Sequence, residues 1–160
     1  MKKLLFLLML CPLMMITSCK DNAENGNNAT DTTNPVTKEM LLAQEIKASN
    51  ELFPMQVEEG TTLLSLIKDG NHVIYEYSVD EDIMDFKPYI ENKEGIKNNI
   101  KNQIITMSTP NSEAHAFMSL VRDTGKDLRY QYTGNKSGKV AIFEFTNDDL
   151  HEMITDFDEN

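Results

Sequence analysis

The chain has 160 residues, enough for one domain of ordinary size, and its 26 acidic against 15 basic residues give a formal net charge of −11. That charge repels phosphate backbones and leaves no basic face, which argues against nucleic-acid binding. The cysteines are Cys11 and Cys19, both near the amino end, so the rest of the chain has neither a disulfide nor a thiol nucleophile.

Met1 to Ser18 opens with Lys2 and Lys3, continues as an apolar run from Leu4 to Ile16, and ends on the small residues Thr17 and Ser18 before Cys19. The apolar part is too short to span about 30 Å of hydrocarbon, so it reads as a signal peptide, not a membrane helix. Ile16-Thr17-Ser18-Cys19 resembles a bacterial lipobox. That resemblance implies cleavage before Cys19, acylation of the new amino terminus, and a lipid-anchored protein of the bacterial envelope, at the outer membrane. Loss of Lys2 and Lys3 leaves 13 basic against 26 acidic residues.

Residues 20–34, KDNAENGNNATDTTN, lack any large apolar side chain. Such a segment buries too little area to offset the entropy of ordering, and reads as a flexible linker with an r.m.s. reach of about 20 Å. Its acidic residues resemble the surface-export signals of some outer-membrane lipoproteins, with Lys20 a departure from that pattern. The organisation expected is therefore signal peptide 1–18, acylated cysteine and linker 19–34, and one domain over 35–160.

Asn34-Pro35 reads as a helix start, an N-cap followed by proline at the first helical position, with the helix running to about Asn50. Val36, Met40, Ala43 and Lys47 share one stripe beside Leu42 and Ile46, which predicts packing on a sheet. Phe53-Pro54 ends the helix. Thr61 to Ile67 and Val73 to Val79 flank Asp69-Gly70-Asn71, a strong hairpin signal. A second hairpin is expected from Asp127–Thr133, the Gly134–Gly138 loop, and Val140–Phe145. Between the hairpins, Ile96, Ile100 and Ile104 recur every four residues beside Lys93, Lys97 and Lys101, predicting a helix from Asn92 to Met107. Thr109-Pro110 reads as the start of another, with Ala114, Phe117, Met118 and Val121 on one face and Gly125 at its end. Thr146 or Asn147 caps a short terminal helix through Leu150 and Met153, before an acidic tail.

Two helices running out and back return the chain to the edge it left. The fold class expected is α+β, with a four-stranded antiparallel sheet of two β-hairpins and the helices packed mainly on one face. Alternation puts Tyr75 with Tyr77, and Tyr130 with Tyr132, on one side of their strands. These four are either core residues or an aromatic face for a ligand or partner. Ile74, Glu76 and Ser78, with Arg129, Gln131 and Thr133, form the opposite, more polar face.

The order of features is distinctive. Leu52-Phe53-Pro54 ends a helix, Val57-Glu58-Glu59-Gly60-Thr61-Thr62-Leu63 follows, then Tyr75-Glu76-Tyr77 and two helices. Gly125 precedes Tyr130-Gln131-Tyr132, and Thr146 stands near Asp148-Asp149-Leu150. From Leu52 to Leu150 this resembles small secreted or lipid-anchored bacterial proteins of uncharacterised function with two Tyr-x-Tyr strands. Those proteins often carry a cysteine in the inter-hairpin helices, which this chain lacks. The resemblance implies one α+β domain with no established catalytic residues.

The residues give no reaction. His72, His115 and His151 stand on separate elements at no metal-ligand spacing. Asp80-Glu81-Asp82-Ile83-Met84-Asp85 fails the calcium-loop template, since Asp85 falls where that loop needs glycine, and reads as the acidic start of a short helix. No Gly-x-Ser-x-Gly elbow and no phosphate-cradling glycine loop occur. The sequence thus predicts no catalytic residues, no metal and no cofactor. The role it predicts is a non-catalytic binding or accessory module for a protein or envelope component, with a small-ligand carrier and an envelope-polymer hydrolase as alternatives. Acylation has a direct test: Cys19→Ser releases the protein from membranes or leaves its leader uncleaved, and unchanged processing and retention would contradict it.

Overall fold

The computed structural model describes residues 36–154. The signal peptide, Cys19, the linker, the Asn34-Pro35 pair and the acidic tail beyond Ile154 lie outside the described residues.

The elements in order are α1 (Lys38–Asn50), β1 (Met55–Glu58), β2 (Thr61–Asp69), β3 (His72–Val79), α2 (Lys87–Glu91), α3 (Lys93–Met107), α4 (Glu113–Asp123), β4 (Asp127–Gly134), β5 (Val140–Phe145) and α5 (Asn147–Met153). The α+β class and both expected hairpins are present, as are the helices from Asn92 and Thr146. The sheet differs from expectation. It has five strands in the order β1-β2-β3-β4-β5, and β3 pairs with β4 in parallel.

The extra strand is β1, four residues whose alternation is too short to register in the sequence. The parallel pair comes from α2, which periodicity does not reveal and which adds a third pass to the crossover. Tyr89 of α2 sits against Tyr132 near the far end of β4. Lys97, early in α3, lies over Phe145, which pairs with Leu128 at the start of β4. Phe117 of α4 then packs edge-on to Tyr75, and the Asp127 amide donates to the Asn71 carbonyl at 2.9 Å. Three passes deliver the chain to the end of the sheet where β3 began, so β4 must run parallel to it.

Local chemistry sets the helix ends. Thr37, not Asn34, caps α1 by accepting from the Met40 amide at 3.2 Å. Ser112, not Thr109, caps α4 through the His115 amide. Thr146 and Asp149 form a reciprocal capping box on α5. Asp80–Asp85 forms a turn, and helix begins only at Lys87. Gly60, at φ +80°, turns β1 into β2, and a Cβ there would lie 2.7 Å from Met84.

All five described helices contribute to one apolar cluster over one sheet face: Leu42 and Ile46 of α1, Tyr89 of α2, Ile100 and Ile104 of α3, Met118 and Val121 of α4, and Leu150 and Met153 of α5. In α1 the buried stripe is Leu42, Ile46 and Ser49, while Val36 and Met40 are 63% and 55% exposed. The expected Val36–Met40 stripe therefore faces outward, because tertiary packing selects the neighbouring row. Arg122 is buried, with Nη1 donating to the Ile154 carbonyl at 2.9 Å, which ties α4 to the end of α5. No described helix is long and apolar enough to cross a membrane.

Beyond the short β1, the edge of β2 is closed by one side chain. Asn50 Nδ2 donates to the Leu66 carbonyl at 2.6 Å, and Asn50 Oδ1 accepts from the Leu66 amide at 2.9 Å. This amide imitates a neighbouring strand and blunts an edge that would otherwise pair with other chains. Asn50→Ala should cost about 2 kcal/mol, since it strands two backbone groups at once; urea denaturation checks this, and an unchanged midpoint would contradict it.

Candidate functional site

The parallel register aligns Tyr75 with Tyr130 and Tyr77 with Tyr132. Their rings stack at centroid distances of 5.1 and 4.5 Å, with interplanar angles of 12° and 10°. A diagonal separation of 6.1 Å between Tyr77 and Tyr130, and one of 6.4 Å along β3 between Tyr75 and Tyr77, join the four into one ladder. Tyr75, Tyr77 and Tyr130 are buried and Tyr132 partly so. The ladder lies on the helix-covered face, with Phe117, Tyr89, Phe143 and Phe145 around it. Burial holds the Tyr77, Tyr130 and Tyr132 hydroxyls well above the ordinary value of 10.0.

The ladder ends in a polar group that sequence reasoning missed. Thr61, itself buried, donates to Glu58 Oε1 at 3.1 Å, and burial raises the neighbouring Tyr89 hydroxyl above its ordinary value against the opposing effect of Thr61. Burial holds the half-buried Glu58 carboxyl above its usual range, against the opposing effect of the Thr61 hydroxyl. Its charge in turn raises Tyr77, Tyr89 and Tyr132. A shifted carboxyl beside tyrosine hydroxyls is chemistry that can hold a small polar ligand. Glu58 sits in the Val57–Leu63 segment of the sequence, but only the bulge in the β1–β2 pairing turns it toward the aromatic ladder.

A second cluster lies on the opposite sheet face. His72 of β3, Asp127 and Arg129 of β4, and Glu144 of β5 converge because alternation points all four the same way. Arg129 Nε and Nη2 donate to Glu144 Oε2 at 3.0 and 2.7 Å. Arg129 Nη2 also lies 3.0 Å from His72 Nε2. Since guanidinium can only donate, that nitrogen accepts and the imidazole proton sits on Nδ1. His72 Nε2 is 3.4 Å from Glu144 and 3.9 Å from Asp127. One ligand atom from each of His72, Asp127 and Glu144 falls within 4.8 Å of the others, a spacing that could hold a metal ion. Arg129 stands among them as the resident cation, so the arrangement is an ion-pair network. His115 and His151, on α4 and α5, do not join it.

The acidic run after β3 spends its carboxylates on a neighbouring turn. Glu81 Oε2 accepts from the Ser137 and Lys136 amides at 2.6 and 2.8 Å, and Lys136 pairs with Asp82. The Ser137 amide is the first cause that holds the Glu81 carboxyl below its ordinary range.

The helix-free face has apolar area as well. Ile67, Val140 and Ile142 are 37%, 46% and 43% exposed, beside the polar Ser65, Glu76 and Gln131. Ile74, enclosed between Ile67 and Arg129 on neighbouring strands, is buried yet stands outside the core cluster.

Among solved structures, the chain is similar to a Pseudomonas aeruginosa protein described as secreted, at 17% identity and a TM-score of 0.55, covering 71% of this chain and 92% of that one. The likeness shows a shared fold. Two type II secretion pilotins also match: EpsS of Vibrio vulnificus at 8% identity, TM-score 0.49, covering 71% and 91% of the two chains, and AspS of Vibrio cholerae at 14%, TM-score 0.46, covering 70% and 91%. No family model matches the sequence, and no curated protein does.

The raised Glu58 carboxyl has a definite consequence for stability. A carboxyl that binds its proton more tightly when folded stabilises the fold fully below its unfolded value of 4.5, and that contribution is lost as pH rises through the folded value. Glu58→Gln keeps the acceptor for Thr61 and removes the titration. The variant should therefore gain in melting temperature relative to wild type as pH rises above 4.5. A constant difference between pH 4 and 8 would contradict the burial of Glu58.

Proposed function

We propose that the protein is a lipid-anchored, non-catalytic module of the bacterial envelope that engages a protein or another envelope component through the helix-free face of its sheet. One observation carries this reading: every described helix packs on the tyrosine face, while the other face presents Ile67, Val140 and Ile142 among polar rows and the Arg129 network. Exposed aliphatic side chains on the flanking strands β2 and β5 border a polar, hydrogen-bonding middle on β3 and β4, and protein interfaces combine apolar and polar area in this way. The lipobox-like Ile16–Cys19 segment supports an anchor, and the linker supports a domain free to turn toward a partner. The shared fold with a secreted protein agrees with an extracytoplasmic setting.

A second reading has its own observation. Glu58, Thr61 and Tyr89 group polar atoms at the end of an aromatic ladder, which suits a small polar ligand carried between β2 and α2. Solvent access separates the two readings, because a carried ligand would shift Tyr89 and leave Ile142 untouched.

Crosslinking in intact cells at native expression should recover one reproducible partner. Ile142→Asp and Ile67→Asp should each reduce that product at least tenfold with the melting temperature unchanged. Undiminished crosslinking in both variants, or no reproducible partner, would overturn the assignment.

A further inference from the structure

On α3, Lys93, Lys97 and Lys101 recur at the four-residue spacing that aligns side chains along a helix, and Ile105 continues the row, 44% exposed. None of the three lysines has a carboxylate within 4.0 Å among the described residues. Lys38, Lys68, Lys87, Lys126 and Lys136 each do. In a chain with 26 acidic and 15 basic residues, three aligned lysines left unpaired stand out. Lys47 and Lys139 also lack such a partner, but each stands alone. The Lys97 ammonium itself lies over the buried Phe145 ring, 5.2 Å from its centroid, so this lysine is half-buried at the edge of the core while Lys93 is exposed. The row flanks the buried Ile100–Ile104 stripe on the helical side of the sheet.

We infer that this lysine row rests on the anionic phospholipid headgroups of the membrane that holds the acylated chain. The inference deepens the envelope reading and depends on acylation of Cys19. Lysines held at an anionic surface each strengthen its contact about fivefold, and three together on the order of a hundredfold. The net negative charge of the whole chain opposes approach, but its field is screened beyond about 8 Å at physiological salt. An anchored domain is brought to the surface by its lipid, so the local charge decides which side faces down. Glu94 on the same helix and Glu91 at the end of α2 are the acidic residues beside Lys93 in sequence; Glu91 pairs with Lys87, and neither forms an ion pair with the row. Ile105 adds an apolar contact at one end. With α3 at the lipid, the helix-free sheet face stays open to a partner.

The test uses the full acylated protein in vesicles of phosphatidylcholine alone and of phosphatidylcholine mixed with phosphatidylglycerol. A membrane-impermeant amine reagent labels exposed lysines, read residue by residue by mass spectrometry. Labelling of Lys93, Lys97 and Lys101 should fall several-fold on the anionic vesicles and recover at high salt, with Lys47 and Lys139 unchanged. In the Lys93→Glu, Lys101→Glu variant, Lys97 should label equally on both vesicles. Vesicle flotation reports anchoring separately, so failure of acylation is distinguished from failure of the contact. Equal labelling on the two vesicle types by floated protein would overturn the inference. So would protection seen only in intact cells, which would give the row to a protein or polymer.

Discussion

The structure depends on the parallel pairing of β3 with β4. This register, Tyr75 to Tyr130 and Tyr77 to Tyr132, brings two distant Tyr-x-Tyr segments ring to ring at the centre of the sheet. Each stacked aromatic pair contributes about 0.5–1.5 kcal/mol beyond its buried area. A slip of one residue in this pairing would send the two rings of one strand to the opposite face, break both stacks and bring that strand's polar row under the helices. The crossover through α2, α3 and α4 is what makes a parallel register possible, and the same helices then cover the ladder.

The consequence is a sheet with two different jobs. One face is consumed by packing, from Leu63 and Leu66 on β2 to Phe143 and Phe145 on β5. The other keeps its rows of polar and aliphatic side chains, braced by Arg129 between His72 and Glu144. The acidic turn after β3 and the β4–β5 turn are tied together by Glu81, and Asn50 closes the edge of β2. The fold is thus fastened at its margins by side chains to backbone, and on the helix-free face by the Arg129 network.

Much of this was legible in the sequence, and the failures have local causes. Asp69-Gly70 and the Gly134–Gly138 loop mark their hairpins because turn chemistry is local. The isoleucine period marks α3, and Thr146 with Asp149 marks α5. The strand direction was not legible, because it turns on α2, whose five residues Lys87–Glu91 are too few for a period. The Val36–Met40 stripe misleads because α1 is apolar on more than one row, and only the position of β2 selects Leu42 and Ile46. The tyrosines could be assigned to one side of each strand, but which side the helices cover is a tertiary fact. Glu58 and the His72–Asp127–Arg129–Glu144 network were invisible for the same reason, since their members lie up to 72 positions apart, from His72 to Glu144.

The one-sided sheet is tested most directly by titrating the tyrosines of the native protein through their ultraviolet absorbance. The account predicts that Tyr77, Tyr130 and Tyr132 do not ionise near the ordinary value of 10.0, and that they titrate only as the fold is lost at higher pH. If all five tyrosines ionise near 10 while circular dichroism reports an intact fold, the ladder is open to solvent and the account of the two faces fails.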